Sequence, residues 1–164
     1  MLFTSNVYAC KRAGNRPNVI SMEEGIFYAR SIPSNSSGDA GTTEIYLVRK
    51  DHDKKIDSYN WFNQGMIVLS WSPIKGKVAV MRHSNSEKNH PLSFYLGGEL
   101  IKYYTKEDLQ HFGVKLSRTS CGERFIFKRL GQYQVPGTNN YVFKIESPSA
   151  GIMAFDTITG ERVK

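Results

Sequence analysis

The sequence predicts an α+β domain that is mainly antiparallel β, a partly closed barrel or a sandwich, with one short helix near Thr105–Phe112. Two observations carry this. Short runs rich in Val, Ile, Phe and Tyr recur along the whole chain, each bounded by Gly, Pro, Asn, Asp or Ser. Only one segment carries a full set of helix-boundary residues. With 164 residues, 40% of them hydrophobic and 12% aromatic, the chain can bury a core of its own, so residues 1–164 read as a single domain.

Strand-length runs fall at Asn6–Cys10, Gly25–Ile32, Thr43–Val48, Met66–Trp71, Lys77–Met81, Leu92–Leu96, Arg124–Arg129, Tyr141–Ile145 and Gly151–Phe155. The clearest pair is Met66–Trp71 with Lys77–Met81. Pro73 and Gly76 between them suit a turn start and a positive φ, which predicts a hairpin with both arms largely buried. Gly97-Gly98-Glu99 resembles a phosphate-cradling turn only loosely, because no strand-loop-helix context with Lys-Ser or Lys-Thr follows. It reads as a turn between Leu96 and the segment Leu100–Tyr104.

Two polar stretches interrupt the pattern. Residues 32–41 have almost no apolar side chain to anchor them and read as a mobile loop, and His83–Pro91 reads as a second polar loop. The helix is defined at both ends. Thr105 is placed to cap the N–H of Asp108, whose carboxylate reaches back in an aspartate variant of the capping box. Tyr104 and Leu109 suit a hydrophobic staple, Gly113 suits a left-handed stop, and Leu109 and Phe112 share a face that can dock on the sheet.

Cys10 and Cys121 show no CxxC or Cys/His spacing, which argues against structural zinc and against a disulfide scaffold and favours a reducing compartment. Residues 1–10 lack a signal-peptide pattern, and no apolar run reaches membrane-spanning length. The expectation is a cytoplasmic protein without a membrane partner.

Twenty-two Lys and Arg against fifteen Asp and Glu give a net charge of +7. The excess is uneven: Lys102–Arg129 holds seven basic and three acidic residues, and residues 1–20 hold three basic and no acidic ones. An uneven positive surface points to an anionic partner, either nucleic acid or an acidic protein.

Within the basic stretch, residues 105–120 resemble the opening of a helix-turn-helix, with a capped helix ending at Gly before an apolar residue. The resemblance stops at Gly122 and the strand-like residues after it, which implies a helix-to-strand connection instead. Arg124-Phe125-Ile126-Phe127-Lys128-Arg129 interleaves charge and aromatics at strand period. Exposed, Phe125 and Phe127 would stack bases while Arg124 and Lys128 pair phosphates; buried, the rings would be core and the charges would solvate the outer face. The nucleic-acid candidates are therefore Lys115, Arg118, Arg124, Phe125, Phe127, Lys128 and Arg129.

Two constellations suit a phosphoester hydrolase. Asp51, His52 and Asp53, with Asp57 close behind, are metal-ligand types that could hold a divalent ion and activate water. His83 and His90 flank a polar loop and suit an acid–base pair without metal. Against each stands a plain reading, an Asp-rich turn and a solvated loop. No nucleophile elbow, zincin helix or dinucleotide fingerprint occurs, and no cofactor is expected beyond that divalent ion. The leading expectation is a non-enzymatic binding protein with a basic face for nucleic acid. The alternatives are a small nuclease and a structural or inhibitory protein-binding protein. A small, motif-poor chain also suits a phage or viral accessory protein.

Overall fold

Whether a strand alternates apolar with polar residues or runs apolar throughout decides how many of its faces are covered, and the chain uses both kinds. In the computed structural model, residues 14–21, 25–63, 66–72, 75–84, 90–119 and 122–163 are described. They form antiparallel sheets and one short helix. The first sheet is a meander of β1 (Asn18–Ser21), β2 (Phe27–Pro33), β3 (Gly41–Leu47) and β4 (Lys54–Tyr59). The second is a meander of β5 (Met66–Ser72), β6 (Lys77–His83), β7 (Leu92–Leu96) and β8 (Glu99–Tyr104). Helix α1 (Lys106–His111) and a ribbon of β9 (Ser117–Thr119) with β10 (Gly122–Arg124) follow. The third meander comprises β11 (Lys128–Gln134), β12 (Tyr141–Ser147), β13 (Gly151–Asp156) and β14 (Arg162–Val163).

The three meanders stack face to face with the second in the middle. Cross-strand register places Val68, Met81 and Phe94 on one face of that sheet, and Leu69, Val80 and Tyr95 on the other. The first face packs against Phe143, Ile145, Met153 and Phe155 of the third sheet. The second packs against Phe27, Ala29, Ile45 and Tyr59 of the first. This is why the hairpin arms carry uninterrupted apolar runs, Ile67-Val68-Leu69 and Val78-Ala79-Val80-Met81: both faces are desolvated. The outer sheets alternate instead. Phe143 and Ile145 point inward and are fully buried, while Lys144 and Glu146 between and beyond them are not. Each buried Phe, Ile or Leu contributes roughly 1.5–3 kcal/mol. The sheets therefore form a layered, sandwich-like stack, and no barrel closes among the described residues.

The hairpin and helix match the sequence. Gly76 has φ +60° and its N–H donates to the Ser72 carbonyl, as the turn requires, though Pro73 and Ile74 lie outside the described residues. Thr105 Oγ1 accepts from the Asp108 N–H at 3.2 Å, and the Asp108 carboxylate accepts from the Thr105 N–H at 2.8 Å. Gly113, at φ +84°, follows the helix. Leu109 is fully buried and Phe112 packs beside it, so the helix covers the core between the second and third sheets. Residues 117–119 are strand, so the chain after the helix is the helix-to-strand connection and not a second helix.

Two expectations are corrected. Residues 124–129 are not one strand: β10 ends at Arg124, residues 125–127 are irregular, and β11 begins at Lys128. The break lets Phe125 and Phe127 drop toward the core. The segment read as a mobile loop, 32–41, contributes its first residues to β2 and its last to β3, and residues 34–40 are held by polar contacts that their composition does not reveal. Asp39, only 8% exposed, is paired with Arg82 and Ser84, its carbonyl accepts from the Phe62 N–H at 2.8 Å, and Ser34 bonds across the loop to Ala40. Residues 6–10 and 85–89 and both cysteines lie outside the described residues. Among the described residues no helix is long and apolar enough to cross a membrane.

Candidate functional site

The basic side chains singled out in the sequence lie along one continuous piece of structure, from the end of α1 through the ribbon to the start of β11. Lys115, Arg118, Arg124, Lys128 and Arg129 are all exposed. Among the described residues, Lys115, Arg118, Arg124 and Arg129 make no ion pair, whereas Lys128 Nζ lies 3.7 Å from Glu146. The ribbon register pairs Arg118 with Glu123 and Arg124 with Ser117, so the two arginines project from opposite faces of the ribbon. The Lys115 backbone N–H donates to Ser149 Oγ at 2.8 Å, fixing the entry to the ribbon against the β12–β13 turn.

The aromatic half of that motif is elsewhere. Phe125 is 5% exposed and belongs to the core; Phe127 is half-buried, its ring 6.3 Å from that of Phe125 and edge-on to His83 at 4.9 Å. The two rings do share a face, as their spacing predicts, but it is the inner one. They offer no platform for a base.

The histidines do not form an acid–base pair. His83 is buried on the face of the second sheet that meets the third, with Nε2 lacking a hydrogen-bond partner among the described residues. Burial pushes its imidazole down to about 4, and the charges of Arg124 and Arg82 act in the same direction. His90 stacks on Tyr103 at 3.6 Å, and Tyr103 aligns through Ser93 with Arg82, on the opposite face of the sheet from His83.

Asp51, His52 and Asp53 are exposed in the turn between β3 and β4 and do not converge. Asp53 is engaged by the Tyr28 hydroxyl at 2.9 Å and the Arg49 N–H at 3.3 Å, which is how an Asp-rich turn closes on itself. Among the described residues no group of three His, Cys, Asp or Glu side chains is arranged to hold a metal ion.

Sequence reasoning missed a cleft of about 760 Å³ at one end of the stack, where all three sheets contribute. Its walls include Ile56 and Asp57 of β4, Trp71 of β5, Lys77 and Val78 of β6, and Gln132 of β11. Trp71, 41% exposed, is the one exposed residue of β5, with its ring stacked on Phe27 at 5.5 Å. The signal was present in part: Trp71 and Lys77 flank the predicted turn. Nothing local brings Asp57 or Gln132 to them.

No known protein family, curated protein or solved structure matches the chain.

Proposed function

We propose that this chain is a non-enzymatic, cytoplasmic nucleic-acid-binding protein that grips the phosphate backbone with Lys115, Arg118, Arg124 and Arg129. The observation that carries this reading is that these four cations are exposed and without ion pairs among the described residues, along one stretch of the fold. Cations already neutralised by carboxylates contribute little to a polyanion; unpaired ones release condensed counterions on contact. With Phe125 and Phe127 turned inward, binding at this surface reads phosphates and carries little sequence preference.

Titration of the full chain with a mixed-sequence DNA or RNA pool, followed by fluorescence anisotropy at several salt concentrations, tests it. Four neutralised phosphates correspond to a slope of about −3 to −4 in log K against log salt on duplex DNA. The quadruple Ala variant should lose most of that slope. Absence of binding at low salt, or affinity indifferent to salt, overturns the proposal.

A further inference from the structure

The cleft between the three sheets combines groups that no single simple ligand class satisfies. Its volume of about 760 Å³ lies within the roughly 300–1,000 Å³ usual for small-molecule sites. One wall is an indole backed by a second ring, Trp71 on Phe27, at an interplanar angle of 15°. The half-buried Asp57 carboxylate and Gln132 line the same space, the Gln132 Oε1 itself being buried. Lys54 and Lys77 stand at the same cleft.

These groups are near one another by construction. The Gly97 N–H donates to the Val78 carbonyl at 2.9 Å, Val78 pairs with Trp71, and a Cβ on Gly98 would lie 3.6 Å from Asp57 Oδ1. The Lys77 chain passes directly over Gly97, where a Cβ would come within 2.5 Å of it, so its stem is laid along the turn beside Asp57. Burial pushes the Asp57 carboxyl up and the Lys77 charge pulls it down.

An acyl chain filling this cleft would strip water from the Asp57 carboxylate and give it nothing in return. A simple aromatic acid meets the Asp57 charge, and a simple aromatic amine meets two lysines. A nucleotide answers the indole with a flat base, the Asp57 carboxylate with N–H donors and the lysines with a phosphate. Among the bases, guanine presents two adjacent donors, N1–H and the exocyclic amine, that a carboxylate accepts together.

We propose that this cleft binds a guanine nucleotide, with the base on Trp71, its Watson–Crick edge on Asp57 and its phosphate toward Lys54 and Lys77. The site shares no residue with the four cations of the basic stretch, so it does not depend on phosphate-backbone binding there.

The test is titration of the full chain with GMP, IMP, AMP, UMP and guanosine, read by tryptophan fluorescence and calorimetry. GMP should saturate and quench Trp71. IMP, lacking the exocyclic amine, and AMP and UMP should each bind at least about tenfold more weakly, since a lost charge-assisted hydrogen bond is worth about 1.5–3 kcal/mol. Asp57→Asn should abolish the preference for GMP over IMP. Lys77→Met, which keeps the stem over Gly97, should reduce the advantage of GMP over guanosine, read as the ratio of the two affinities within the variant; thermal melting of both variants checks that they are folded. No saturable response to GMP at millimolar concentration, equal affinity for all the nucleotides, or an Asp57→Asn protein that still prefers GMP overturns the proposal. Competition of GMP by a single-stranded oligonucleotide containing one guanine separates a base within a polynucleotide from a free nucleotide. Displacement assigns the site to the former and its absence to the latter, and either result upholds guanine recognition. The quadruple Ala variant of the ribbon should bind GMP as the wild type does, so failure of the ribbon and failure of the cleft read out separately.

Discussion

The guanidinium of Arg82 on β6 forms a buried ion pair with the carboxylate of Asp39, a residue 43 positions earlier in the chain. Both side chains are 4% exposed. Arg82 also lies over the Trp61 ring at 4.5 Å and reaches the Phe62 carbonyl at 3.5 Å, and Ser84 donates to the same carboxylate. The pair therefore ties the 34–40 loop and residues 61–62 to the middle sheet. Removing one partner takes away the charge that the other faces, at a place where both side chains are buried. Arg82→Met should destabilise the protein by about 3–5 kcal/mol, and adding Asp39→Asn to that variant should recover part of the loss. Urea unfolding of wild type and the two variants measures both; equal stability of the single and double variants would sink the account.

That pair also marks the limit of what local sequence conveys. Strand and helix boundaries depend on neighbours within a few residues, and β7, β12, β13 and α1 fall where alternation and capping residues place them. β4, Lys-Lys-Ile-Asp-Ser-Tyr, was not legible, because only Ile56 and Tyr59 turn toward the core and the rest is polar. The cations of the basic surface were legible because exposure is their default. Asp39 meets Arg82, and Asp57, Trp71 and Gln132 come to one cleft, only through the stacking of sheets, and no periodicity within one segment encodes which sheet covers which.

The cap of α1 should be both stabilising and pH-dependent. Thr105→Ala removes an acceptor for the Asp108 N–H and should cost about 1 kcal/mol near neutral pH. Hydrogen bonds from the Thr105 N–H and then its hydroxyl hold the Asp108 carboxyl below its ordinary value of 3.8. A carboxyl lowered in the folded state contributes stability that is present above 3.8 and is lost as pH falls through the folded value. The difference between wild type and Thr105→Ala should shrink in that acid range. Chemical denaturation at neutral pH and in strong acid checks it, and a difference that stays constant contradicts the reciprocal cap.

Phe125 should matter to folding and not to nucleic acid. Its ring sits in the core shared by the second and third sheets, so Phe125→Ala should cost about 3–5 kcal/mol. Phe125→Leu fills more of the space and should stay folded with weakened stability. Its affinity for the nucleic-acid pool, measured well below its melting temperature, should equal that of wild type. A loss of affinity in a folded Phe125→Leu protein would return this ring to the interface.

His83 couples the basic ribbon to stability. Its imidazole is pushed down to about 4, first by burial and then by the positive charges of Arg124 and Arg82, with Asp39 opposing. In the unfolded chain the same ring takes up its proton near 6.5. Between those values the unfolded state holds more protons than the folded one, so the contribution is fully present above pH 6.5 and is lost as pH falls toward 4. His83→Phe, which keeps a ring against Phe127, should flatten that part of the stability profile. Arg124→Ala should move the titration upward, toward 6.5, because it removes one of the repelling charges. Imidazole NMR shifts across pH 3–8, together with urea midpoints for the three proteins, read both effects. A wild-type His83 that titrates near 6.5, or one that Arg124→Ala leaves unmoved, contradicts the coupling.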